Sequence, residues 1–161
     1  METDTSGEHI VLDNQPKSII LAAQDQAIIR EVAAICIQAR HFYQQVIPEI
    51  TNNNIRRYFV ALVQLHQLPP ALRTAQRPKA ARANDTATLW QWYHSHSKAI
   101  TANQAHWSTE LPQQLLFQLA IFKRLSRQLV QPDHARELAK LTASLQILAD
   151  EFIPLLLNEE L

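Results

Sequence analysis

An all-α fold follows from three features of this chain of 161 residues. Glycine occurs once, at Gly7, so the tight turns that hairpin-rich β folds favour are scarce. Alanine, leucine, glutamine and arginine, all strong helix formers, are abundant. Apolar residues also recur three or four positions apart: Ile28, Val32, Ile35, Ala39, Phe42 and Val46 make one row along a single helix face. The same lack of glycine removes Walker loops, dinucleotide fingerprints and nucleophile elbows, which need it where backbone meets phosphate or turns sharply.

The elements follow in order. Residues 1–16 hold Glu2, Asp4, Glu8 and Asp13 without Lys or Arg, which predicts an acidic, disordered leader ending at Pro16. The pattern then predicts a helix from about Lys17 to Pro48, widened by a second row of Ile29, Ala33, Cys36, Tyr43 and Ile47. Asn52–Asn54 break this pattern and supply a cap for a second helix, carrying Ile55, Tyr58, Phe59, Leu62 and Leu65 as far as Pro69-Pro70. "RTAQRPKAARAND" (73–85) is polar, basic and proline-bearing, hence a linker. Asp85 or Thr86 starts a short helix with Leu89, Trp90, Trp92 and Tyr93. "STELP" (108–112) reads as a fresh cap with Pro112 in the first turn, and that helix stops near Pro132. A last helix from about Asp133 carries Leu138, Leu141, Leu145, Leu148 and Phe152.

The length fits one domain (17–158) able to bury roughly 70% of its unfolded surface, so neither disulfide nor metal staple is required. Lys plus Arg and Asp plus Glu number 15 each, which gives no global pull towards nucleic acid or membrane. The single cysteine, Cys36, forbids an internal disulfide and CxxC zinc sites and suits a reducing compartment. No basic n-region with an apolar core opens the chain, and no window approaches the ~18 apolar residues of a membrane span, so the expectation is a cytoplasmic protein.

An internal repeat sharpens the architecture. At an offset of 83 positions, Phe42 falls on Leu125, Val46 on Leu129, Ile55 on Leu138 and Leu62 on Leu145. The turns "PEITNNN" and "QPDHA" align as well. Two helical hairpins of one build (17–77 and 108–158), joined by a crossover (73–107) containing a short extra helix, describe a four-helix bundle with one long connection, the ferritin-like layout.

"ARHFYQQVIPEITNNNIRRYFVALVQLHQLPPAL" (39–72), with Tyr43 and Phe59, resembles the first hairpin of small bacterial ferritin-like proteins, distant relatives of rubrerythrin. The crossover "TLWQWY" (88–93) and the closing "PDHARELAKLTASLQILADEF" are also similar to that family, and the resemblance covers roughly residues 18–157. A di-iron cage of this superfamily needs a Glu from each of two helices and Glu-x-x-His from the others. The second helix has no acid, and Ala61 and Gln64, then Ser144 and Ile147, stand where Glu-x-x-His would be expected. No acid lies between Glu110 and Asp133. Too few anions remain to hold hard cations, so the expectation is a hydrocarbon-filled interior without a metal or other cofactor.

Other constellations are thin. His94 and His96, two apart, point about 200° apart on a helix. His41, His66, His106 and His134 lie in separate segments, with His41 and His66 the weak candidates for a non-standard metal site. Cys36 reads as a buried, inert thiol with Arg40 its sole nearby activator. No nucleophilic triad or acid–base carboxylate pair is present, so no catalysis is expected. Arg56, Arg57, Arg73, Arg77, Lys79 and Arg82 form an acid-free run within 50–84, a candidate phosphate or nucleic-acid contact, and Lys123, Arg124 and Arg127 form a second cluster. Trp90, Trp92, Tyr93 and Trp107 are candidates for a homodimer or protein-partner interface. The preferred function is a binding or oligomerisation module; a phosphate- or nucleic-acid-associated regulator and a histidine-based metalloprotein are the alternatives.

Overall fold

The computed structural model describes the backbone of residues 2–73, 84–98, 100 and 104–159, and side-chain surroundings from residue 23 onward with 104 and 105 excepted. Those residues form five α-helices: α1 (Glu2–Val46), α2 (Asn53–Leu65), α3 (Asp85–Ser97), α4 (Gln104–Gln128) and α5 (Pro132–Asn158). Short 3-10 turns at Ile47–Glu49 and Pro70–Leu72 follow α1 and α2. No strand occurs among the described residues, and the fold is all-α.

Packing runs around a closed circuit. α1 lies against α2 and α3, α2 against α5, α5 against α4, and α4 against α3. α1 and α4 touch only lightly, because the tryptophan-bearing helix stands between them as a wall. The apolar rows meet inside. Val32, Ile35, Ala39, Phe42 and Val46 of α1 are buried with Ile55, Phe59 and Leu62 of α2, Leu89 of α3, Leu115, Phe122 and Leu125 of α4, and Leu138, Leu145 and Phe152 of α5. The pairs related by the internal repeat, Phe42 and Leu125, Val46 and Leu129, Ile55 and Leu138, Leu62 and Leu145, are all buried.

Local chemistry sets the joints. Asn52 caps α2 by accepting from the amides of Asn54 (3.0 Å) and Ile55 (3.3 Å), as its position after the broken pattern predicted. Asn84 caps α3 through Ala87 N at 3.0 Å. The α4–α5 corner is closed from a distance instead. Asp25 of α1, fully buried, accepts from Val130 N (2.8 Å), Gln131 N (2.9 Å) and His134 Nδ1 (3.0 Å). One carboxylate thus satisfies amides that open α5 and ties that corner to the first helix.

Helix starts differ from the sequence expectation in two places. The backbone of α1 is helical from Glu2 through Pro16, not from Lys17. Adding residues to an existing helix costs far less than nucleating one, so local composition is a weak stop signal there. α4 begins at Gln104, which leaves Pro112 inside the helix rather than in its first turn. The reason is Trp107, wholly buried and edge-on to Phe42 and Phe59 at 5.7 and 5.9 Å. Burying an indole is worth about 4–6 kcal/mol, against about 3 kcal/mol for an interior proline.

Candidate functional site

The interior between the helices is not hydrocarbon throughout, contrary to the sequence expectation. Four helices each deliver one polar side chain to its centre: Tyr43 from α1, His66 at the C-cap of α2, Tyr93 from α3 and Gln118 from α4. All are buried, and they bond in series. Tyr43 Oη meets Tyr93 Oη at 2.7 Å, Tyr93 Oη meets Gln118 Oε1 at 2.6 Å, Gln118 Nε2 meets His66 Nε2 at 2.8 Å, and His66 Nδ1 meets the Leu62 carbonyl at 2.7 Å. The partners dictate the proton positions. The Leu62 oxygen can only accept, so His66 carries its hydrogen on Nδ1 and receives from the Gln118 amide at Nε2. Tyr93 gives its hydrogen to Gln118 and therefore accepts from Tyr43. Every bond points the same way, from Tyr43 to Leu62.

Burial keeps the chain neutral. It holds the His66 imidazole down to about 4, with the Arg40 charge adding to the effect and the Leu62 and Gln118 hydrogen bonds opposing it. It pushes the Tyr43 and Tyr93 phenols well above their ordinary value. The neutral forms are the ones this hydrogen-bond pattern uses. It can fix register, since four helices must be aligned for its bonds to close. A packed aromatic shell surrounds it, with Phe42 within 5.3–5.7 Å of the rings of Tyr43, Trp92, Tyr93 and Trp107. The Trp107 indole N–H is the one buried side-chain polar atom without a hydrogen-bond partner among the described residues.

The candidates picked from sequence scatter. His66 is inside and His41 is exposed, so the two do not share a site. Cys36 is buried, as expected, and burial pushes its thiol up to about 12 despite the opposing Arg40 charge. Of the basic run, Arg56, Arg57 and Arg73 fall among the described residues. Arg56 donates from Nε and Nη2 to the Ile50 carbonyl, Arg73 donates from Nε to the Leu68 carbonyl, and Arg57 lies over the Tyr58 ring. Arg77, Lys79 and Arg82 lie outside the described residues. In the second cluster Arg124 pairs with Asp85 and Lys123 donates to Gln146. The interface group divides. Tyr93 and Trp107 are core residues, a correction that follows from the packing of α3 against α1 and α4 and of Trp107 against Phe42 and Phe59. Trp90 and Trp92 are half-buried, the first stacked on His94 and the second on His96.

Two groupings escaped the sequence reading. Gln118 looks like any helix-surface amide in a linear pattern, and its depth was legible only from its place one residue before Leu119 on a face shared with Leu111, Leu115 and Phe122. His96 of α3 and the pair His106 and Glu110 of α4 converge at the α3–α4 junction. The i,i+4 spacing of His106 and Glu110 was the available half of that signal.

No helix among the described residues is long and apolar enough to cross a membrane. No family model matches the chain, and no curated protein or solved structure matches it significantly.

Proposed function

We propose that this protein is a non-catalytic, ferritin-like four-helix bundle that serves as a binding or oligomerisation module. In this reading α1–α2 and α4–α5 are the two hairpins and α3 is the crossover helix packed between α1 and α4. The observation that carries it is the closed chain from Tyr43 to Leu62, which occupies the bundle centre where relatives of this layout would hold metal. The residues there do not fit a di-iron centre. The donors are two phenols, an amide and an imidazole, each already bonded to the next, and Asp25, the only fully buried carboxylate among the described residues, is taken up by the α5 corner. Without bridging carboxylates, hard iron has no cage.

The Trp90–His94 stack, half-exposed on α3 beside Gln38 of α1, is the aromatic surface offered to a partner or a second copy. Light scattering on the purified full chain tests this part: an oligomer that Trp90→Ala weakens supports it, and a monomer with no partner-dependent change at Trp90 removes it. Metal analysis tests the rest. Stoichiometric iron or manganese that survives replacement of His96 and His106 at the α3–α4 junction, together with oxidase activity, would overturn the reading.

A further inference from the structure

We infer that His96, His106 and Glu110 form a binding site for a divalent transition ion of the zinc class, joining the end of α3 to the first turns of α4. Glu110 faces both imidazoles, with His106 Nε2 at 3.1 Å from Oε1 and His96 Nε2 at 3.6 Å from Oε2. The three ligand atoms all lie within 4.8 Å of one another. Bonds of about 2.0–2.1 Å at a tetrahedral angle separate ligand atoms by about 3.3–3.4 Å; the two Glu110–imidazole spacings fall on either side of that figure but on different carboxylate oxygens, and the set as a whole is wider. Small rotations of the three side chains close the remaining gap.

The surroundings are what a metal site uses to aim its ligands. His96 Nδ1 faces the Trp92 carbonyl at 2.8 Å, so its hydrogen sits on Nδ1 and the Nε2 lone pair points to the site. Trp92 Nε1 donates to Glu110 Oε2 at 2.7 Å and holds the carboxylate in place. The Trp92 ring stacks on His96 at 4.4 Å, fixing the plane of the imidazole, while the exposed His106 ring, now nearly parallel to His96, would turn to bring its lone pair to the same point. One residue thus orients two ligands. Two imidazoles and one carboxylate favour zinc, copper or nickel over magnesium and calcium, which want oxygen alone. His106 is largely exposed, which gives the ion an entry path and leaves the fourth position to water.

None of the three ligands belongs to the interior chain or to the Trp90–His94 surface proposed above. Its test is zinc titration by calorimetry on the untagged, chelator-treated full chain, with cobalt(II) absorption to report coordination geometry. The expected result is one zinc per chain, tetrahedral cobalt bands, a raised thermal midpoint, and no response to magnesium or calcium. His96→Gln and Glu110→Gln should each weaken zinc by about 100-fold or more. His106→Gln should do the same, and its side chain is too exposed for the loss to reflect unfolding; far-UV circular dichroism checks all three. Absence of zinc binding at about 100-fold excess, or wild-type affinity in the three variants, overturns the assignment.

Discussion

The Tyr93 phenol donates to the Gln118 amide oxygen at 2.6 Å, joining α3 to α4 at the centre of the bundle. Gln118 in turn donates to His66, so a single side chain links α3 to the end of α2. Removing a member strands its neighbours in a buried space, and that penalty exceeds the net worth of any one bond.

Tyr93→Phe should therefore destabilise the fold by about 1–3 kcal/mol, although it deletes one oxygen from a well-packed ring. Combining it with Gln118→Met should cost less than the sum of the two, because both break one network. Urea denaturation of the two single variants and the double variant measures the coupling. Strict additivity would mean the bonds are not coupled.

Stability should fall in mild acid because of His66. Its folded value, about 4, lies below the ordinary imidazole value near 6.5, so the unfolded chain binds the proton more readily. The neutral histidine's contribution is complete above pH ~6.5 and is lost as pH falls towards 4, in total about 3 kcal/mol. Urea midpoints measured between pH 7 and 4 should show the slope. His66→Gln should flatten it, and an unchanged slope in that variant would assign the acid loss elsewhere.

Asp25 governs a second, lower window. Burial works to raise its carboxyl, but the hydrogen bonds from Val130, Gln131 and His134, with the His134 charge, prevail and leave it below the ordinary carboxylate value. Its contribution is full above pH ~4 and disappears as pH falls through the depressed folded value. Asp25→Ala should cost about 3 kcal/mol at neutral pH, since it orphans two amides at the α5 corner. Hydrogen exchange should accelerate first at Val130 and Gln131.

Cys36 should resist dithiobisnitrobenzoate in the folded protein, being fully buried with its thiol pushed up to about 12. Labelling at pH 8 should track global unfolding as urea is added. Rapid labelling without denaturant would show that the α1 face opens locally.

The helices and their inward faces could be read along the chain, because a helix's apolar stripe is a local periodicity that burial rewards wherever the partner comes from. Ile35, Phe42, Ile55, Leu62, Leu138 and Leu145 lie inside as that periodicity requires, and Asn52 caps where the pattern breaks. Cys36 was legible for the same reason. What only the tertiary structure decided is which polar residues meet. Tyr43 and Tyr93, Tyr93 and Gln118, Asp25 and Val130, and His96 and Glu110 are brought together across helix pairs by packing, and hydrogen bonds depend on distances of tenths of an ångström that no linear spacing encodes. Tyr93 and Trp107 show this most plainly: aromatic composition alone suits a core as well as an interface, and the insertion of α3 between α1 and α4 made both residues core.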